Sequence, residues 1–196
     1  MDCIPSFANE IMSYVKPILG LNKKCLVLDL DNTLWGGIVG EDGYNGITLG
    51  DTPTGKAFVE FQKIILSLHQ RGVILAINSK NNHDDAMDVI KNHPNMILRE
   101  EHFVSIKINW NDKASNLQDI ATELNIGLES MVFFDDDPIN REWIHSIMPE
   151  VLTPELPKDP YLFPMIIKNL NEFNVLKITD EDTKRSEMYL QQQKRI

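Results

Sequence analysis

The sequence predicts an α/β domain built on a doubly wound, mainly parallel sheet. Short apolar runs with little polar alternation, CLVLDL (25–30), VILAIN (73–78) and MVFF (131–134), read as strands covered on both faces. Each is followed by a stretch whose apolar residues recur at helical spacing. Regular strand–helix alternation of this kind requires right-handed crossovers, which put helices on the sheet faces.

Taken along the chain, Phe7–Leu19 reads as a leading helix, and CLVLDL follows as the first strand. A glycine-rich stretch, WGGIVGEDGYNGITLG, precedes a helix that Thr52 caps and Pro53 opens; Phe58, Phe61, Ile65 and Leu68 form its apolar stripe and Gly72 ends it. VILAIN is the second strand. NNHDDAMDVIKNH supplies caps, early Asp residues and an Ala86–Val89–Ile90 stripe for the next helix. Weaker strand signals lie at Met96–Leu98 and Phe103–Ile106. A third helix starts at Asp112 with Ala114, Leu117, Ile120, Ala121 and Leu124 on one face. After MVFF, Asp137 and Pro138 have the chemistry of a cap and a first helical residue. Two segments look peripheral: the proline-punctuated TPELPKDPYLFP (153–164) and a polar helix candidate over 179–196. The expected organisation is thus a lead-in over 1–20, a catalytic domain over 21–178 and a polar helix or linker over 179–196.

Composition narrows the function classes. The chain has 196 residues and a net charge of −10, so its surface repels phosphate backbones and nucleic acid is not the expected partner. Cys3 and Cys25 alone make neither a disulfide framework nor a four-ligand zinc site. No apolar stretch approaches the ~20 residues of a membrane span, and MDCIPSFANE lacks the pattern of a secretory leader, so the expected setting is cytoplasmic, without a membrane partner. The five histidines show no metal-ligand spacing; cap or surface roles are expected for them.

In an open parallel sheet, ligands collect beyond the carboxyl ends of the strands. Directly after the three clearest strands come Asp29, Asp31, Asn32 and Thr33; Ser79, Lys80, Asn81 and Asn82; and Asp135, Asp136 and Asp137. Carboxylates this close cannot all stay ionised without a counter-charge, and a hard divalent cation such as Mg2+ supplies it. Lys113, at the start of the third helix, adds a second positive charge. Each feature alone has a plainer reading: Asp-x-Asp as a turn, Asp-Asp-Asp-Pro as a helix start, Ser79 and Asn82 as caps. Their joint placement at strand ends and helix starts is what points to a site.

VLDLDNT, AINSKN, Lys113 and VFFDDD resemble, in order, the four motifs of the haloacid dehalogenase superfamily of phosphohydrolases. LDLDNTLWGG, VGEDG, SKNN, INWNDK, LNIG and DDDPINRE are similar to strings of its FkbH-like branch, subfamily IIIC, over about Leu21 to Met188. The resemblance implies a Rossmann-like fold with a flap hairpin and no large cap. It implies Asp29 as nucleophile, Asp31 as general acid/base, and Ser79, Lys113 and Thr33 as phosphate-binding residues, with Thr33 also a support for Asp29 and its loop. It implies Mg2+ held by Asp29, the Asp31 carbonyl and Asp135, with Asp136 acting through water. Asn32, Asn78, Lys80 and Asn81 are candidate substrate-lining residues; Trp35 lines the mouth or packs the flap base, whereas Trp110 and Trp143 read as core or edge packing. The implied substrate is a phosphorylated metabolite or a carrier-bound group. Glyceryl transfer to an acyl carrier protein is the alternative, but Asn78 stands where that branch has its cysteine. A phospho-receiver module also combines acids, a hydroxyl and a lysine, yet its lysine follows the hydroxyl strand, and here Lys113 precedes the Asp135–Asp137 block.

Overall fold

The computed structural model describes residues 21–174 throughout, with 11, 14–16, 18, 19, 185, 188, 189 and 191. The expected leading helix and the polar helix over 179–196 fall mostly outside the described residues, as does Cys3. Four parallel strands, β1 (Cys25–Leu28), β2 (Ile74–Ser79), β3 (Phe103–Ile108) and β4 (Met131–Phe134), pair in the order β3-β2-β1-β4. Helices α2 (Pro53–Gln70) and α3 (His83–Asn92) make the first two crossovers, α4 (Lys113–Leu124) the third, and α5 (Pro138–Ile147) follows β4. Between β1 and α2 lies the one-turn α1 (Val39–Asp42), and α6 (Phe163–Lys168) comes after the proline-rich segment.

Side chains alternate across a strand, so one period divides the molecule into two cores. Leu26, Leu28, Leu75, Ile77, Val132 and Phe134 face α2, α3 and α6, where Phe61 and Ile65 of α2 fill the interior. Cys25, Val27, Ile74, Ala76, Met131 and Phe133 face α4 and α5 and meet Leu117, Ile120 and Ile144. Burial pushes the Cys25 thiol up to about 12, which keeps it a protonated core group.

The caps are those the sequence indicates. Thr52 accepts from the Gly55 amide, Asn82 from Asp84 and Asp85, Asp112 from Ala114 and Ser115, and Asp137 from Ile139. Three features differ. Met96 and Leu98 are buried, but Met96–Leu98 is no strand, because the amides of Ile97 and Leu98 donate to Gln62 Oε1 at 2.8 and 3.1 Å instead of joining a ladder. The expected flap hairpin is reduced to one antiparallel pair, Gly36 with Thr48, closing a loop that contains α1. Trp110 and Trp143, expected as packing residues, are 76% and 51% exposed, one in the loop after β3 and the other on the outer side of α5.

Gln62 holds that turn from inside the core. Its Nε2 also donates to the Leu34 carbonyl at 2.8 Å, so three backbone groups depend on one side chain. Gln62→Met keeps the volume and strands all three, and it is expected to lower unfolding stability by about 3 kcal/mol in urea denaturation.

Candidate active site

Sheet topology fixes where the polar residues gather. The chain proceeds outward from β1 to β2 and β3, then returns to place β4 on the other side of β1, so the order reverses beside β1. Leu28 is level with Phe134 and with Ile77, which brings Asp29, Asp135 and Asn78 to one height just past the strands. Strand alternation turns these three toward the α4 and α5 face.

Asp29, Asp135 and Asp136 each present a carboxylate oxygen, and the three oxygens lie within 4.8 Å of one another. Lys113 Nζ sits 2.9 Å from Asp29 Oδ2 and 2.5 Å from Asp135 Oδ2, itself only 3% exposed. Burial alone would lower its affinity for a proton, but the Asp29 and Asp135 charges outweigh this and hold the ammonium protonated. Burial, then the Asp29 charge, pushes the Asp135 carboxyl up, against the pull of Lys113. Asp136 is carried to about 7 by burial and by Asp29 and Asp135. One lysine therefore leaves the cluster short of positive charge. Oxygen donors without His or Cys suit a hard divalent cation of the Mg2+ type.

Lys113 is held by its neighbours. Asn78 Nδ2 donates to the Lys113 carbonyl at 2.9 Å, and Asn116 Nδ2 donates to Asn78 Oδ1 at 3.0 Å. This buried pair ties the first turn of α4 to β2. Asn78 is thus not a substrate-lining residue: it is fully buried, with both ends of its amide bonded to protein.

Asp31 lies on the turn after β1, outside the acid cluster. Its Oδ1 accepts from Trp35 Nε1 at 2.8 Å and the Val39 amide at 3.1 Å, and its Oδ2 from Asn81 Nδ2 at 2.8 Å. Burial raises this carboxyl, opposed in turn by the Val39, Trp35 and Asn81 bonds and by Lys113. Asn32, at φ 54, adopts the left-handed conformation the turn requires, and its Oδ1 accepts from the Gly37 amide at 2.8 Å. Trp35 is fully buried, so of its two expected positions it takes the flap base, with its indole N–H on Asp31. Asn81 is also buried and touches Asp31 rather than open space. Thr33 is interior too, but its Oγ1 makes no hydrogen bond, so it does not tie down Asp29. Its backbone closes the turn instead, the amide donating to the Leu30 carbonyl at 3.1 Å. Ser79 ends β2, buried, with its carbonyl accepting from the Asn109 amide at 3.1 Å, and Lys80 beside it is exposed.

Two contributors escape a reading of the sequence. Arg141 Nη1 donates to the carbonyls of both Asp135 and Asp136 at 2.7 Å, fixing the loop that carries two of the acids. The segment over 153–164, expected to be peripheral, forms one wall of a groove of about 790 Å3 whose other lining includes Asn32, Gly36 and Asp136. The signal for Arg141 was its four-residue spacing from the capping Asp137, which returns its guanidinium to the helix start. No local pattern marks the wall segment, because much of the lining that shares the groove with it, Asn32 to Phe58, lies ~100 positions earlier in the chain.

No family model matches the chain, and no curated protein matches it. Among solved structures it is similar to the N-terminal part of the protein BF1531 from Bacteroides fragilis, which contains a phosphatase domain and was crystallised with Mg. The two are 41% identical at a TM-score of 0.87, over 90% of this chain and 47% of that one, so this chain spans about half the length of its relative. An uncharacterized protein from Corynebacterium glutamicum ATCC 13032 Kitasato shares the fold alone, at 11% identity and a TM-score of 0.50, over 79% of this chain and 97% of that one.

Proposed function

We propose that this chain is a Mg2+-dependent phosphatase domain of the haloacid dehalogenase type, with the catalytic domain over residues 21–178 and a phosphorylated small molecule or carrier-bound group as substrate. The observation that carries the reading is the acid cluster itself: three carboxylate oxygens within 4.8 Å, with Lys113 bridging two of the acids. The likeness to a Mg-complexed phosphatase domain supports it.

In this reading Asp29 attacks phosphorus through a carboxylate oxygen, and the bond from phosphorus to the leaving oxygen breaks. Asp31 gives its proton to that oxygen. The carboxylate so formed then takes a proton from water, whose oxygen attacks phosphorus, releasing inorganic phosphate and restoring Asp29. Burial favours the protonated form of Asp31, while Trp35, Asn81 and the Val39 amide fix its direction. Lys113 and Ser79 hold the phosphoryl oxygens. Asp29, Asp135, Asp136 and the Asp31 carbonyl would hold Mg2+, which when bound neutralises phosphate charge beside the nucleophile. The FkbH-like assignment is the finer form of this reading, and an acyl carrier protein is its implied partner. For glyceryl transfer, however, buried Asn78 offers no nucleophile, so hydrolysis is the reaction we assign.

The test is release of inorganic phosphate from small phosphomonoesters such as p-nitrophenyl phosphate. Turnover that requires Mg2+ and stops on chelation is expected; absence of turnover across a broad panel contradicts the reading. Metal binding also predicts a pH signature. The folded state holds the Asp136 carboxyl at about 7, above its ordinary 3.8, so without metal this group's stabilising contribution is complete below 3.8 and is lost as pH rises through about 7. Mg2+ opposes that loss by pairing with the ionised form. Its effect on the melting temperature is expected to be larger at pH 8 than at pH 5, which melting curves with Mg2+ and with chelator check.

A further inference from the structure

The groove beside the acids is lined by Asn32 and Asp136, by Gly36 and Thr48 of the flap, and by the wall over 155–160. At about 790 Å3 it matches sites that take a whole organic molecule, more than a phosphoryl group needs. Pro138, Pro157 and Pro160 give the groove accessible apolar surface above a buried floor of Phe58, Leu156 and Phe163, the rings of Phe58 and Phe163 edge to face at 6.0 Å. Pro157 and Pro160 restrict the wall's backbone, so little ordering is left for binding to impose. The floor cannot shift freely toward the flap, because even a Cβ on Gly36 would come within 3.0 Å of the Phe58 ring.

Its charges exclude one kind of occupant. Asp136, Asp137 and Glu155 line the groove against Arg141 and Lys158. Arg141 Nη1 is committed to the carbonyls of Asp135 and Asp136, and Lys158 is exposed. With Asp136 turned to the metal, Asp137 and Glu155 remain against these two cations, so the lining offers a second phosphate or a carboxylate on the leaving group no net positive charge to offset its desolvation.

We infer that this groove binds the leaving group of the substrate, and that the leaving group is an extended, uncharged organic chain with substantial apolar surface. The inference rests on the phosphatase reading and gives it a substrate class. Non-hydrolysable phosphonates test it by calorimetry with Mg2+ present. Each fully buried methylene is worth about fourfold in affinity, so hexylphosphonate is expected to bind at least tenfold more tightly than methylphosphonate even with partial burial. 3-Phosphonopropionate is expected to bind several-fold more weakly than propylphosphonate. Thr54→Trp, at an exposed groove-lining position in the first turn of α2, should bring the hexyl-to-methyl affinity ratio close to one. A ratio near one in the unaltered protein, a ratio unchanged by Thr54→Trp, or tighter binding of the carboxylate compound would overturn the inference. If phosphate is released from small esters while the ratio stays flat, only the groove assignment fails. If no phosphonate binds and no ester is hydrolysed, the phosphatase reading fails with it.

Discussion

Asp29→Asn is expected to reduce turnover by about 10^3- to 10^5-fold while leaving the fold intact, because it removes the nucleophile and one charged position for Mg2+. The amide has the shape of the carboxylate. Losing the negative charge also relieves repulsion among three acids whose oxygens lie within 4.8 Å of one another, which offsets the weakened bond to Lys113. Phosphate-release kinetics and thermal melting together check this: activity near background with a melting temperature within a few degrees of the unaltered protein. Robust activity in the variant would remove Asp29 from the chemistry.

Lys113→Met is the second large effect, and it acts on stability and turnover together. The ammonium lies between Asp29 and Asp135 at 2.9 and 2.5 Å, and removing it leaves two buried carboxylates facing each other. Breaking a buried pair from one side costs about 3–5 kcal/mol, and that loss is expected in urea denaturation of the metal-free variant. Mg2+ should recover part of it by supplying positive charge to the same oxygens. Turnover should stay depressed by about 10^2- to 10^3-fold with Mg2+ present, since the phosphoryl oxygens have lost a fixed cation. A variant as stable as the parent without metal would show that Lys113 does not balance the acids.

Much of this arrangement was legible before the fold. Apolar runs of strand length, each followed by a stripe of period 3.6, identify the sheet and its crossovers, and Thr52, Asn82, Asp112 and Asp137 mark the helix starts they cap. Parallel pairing puts the residues just past β1 and β4 on one edge of the sheet, and the strand order, which the sequence does not show, sets Asp29 and Asp135 side by side. What was not legible depends on distant contacts. Met96–Leu98 is as apolar as a strand, and only the buried Gln62 amide, 34 positions before Met96, diverts its backbone. Asn78 and Trp35 sit beside reactive positions in the sequence, yet burial turns one toward Lys113 and Asn116 and the other onto Asp31. The groove wall at 155–160 carries no local sign of its role because it is defined by what lies opposite it.

Rapid acid quenching during turnover, followed by borohydride reduction and peptide mass spectrometry, looks directly at the residue that carries phosphorus. Asp29 is predicted to be recovered as homoserine, and the Asp29→Asn chain should yield no reduced residue. A phosphoryl group trapped on any other side chain, or turnover with nothing trapped at position 29, would contradict an aspartyl-phosphate at this carboxylate.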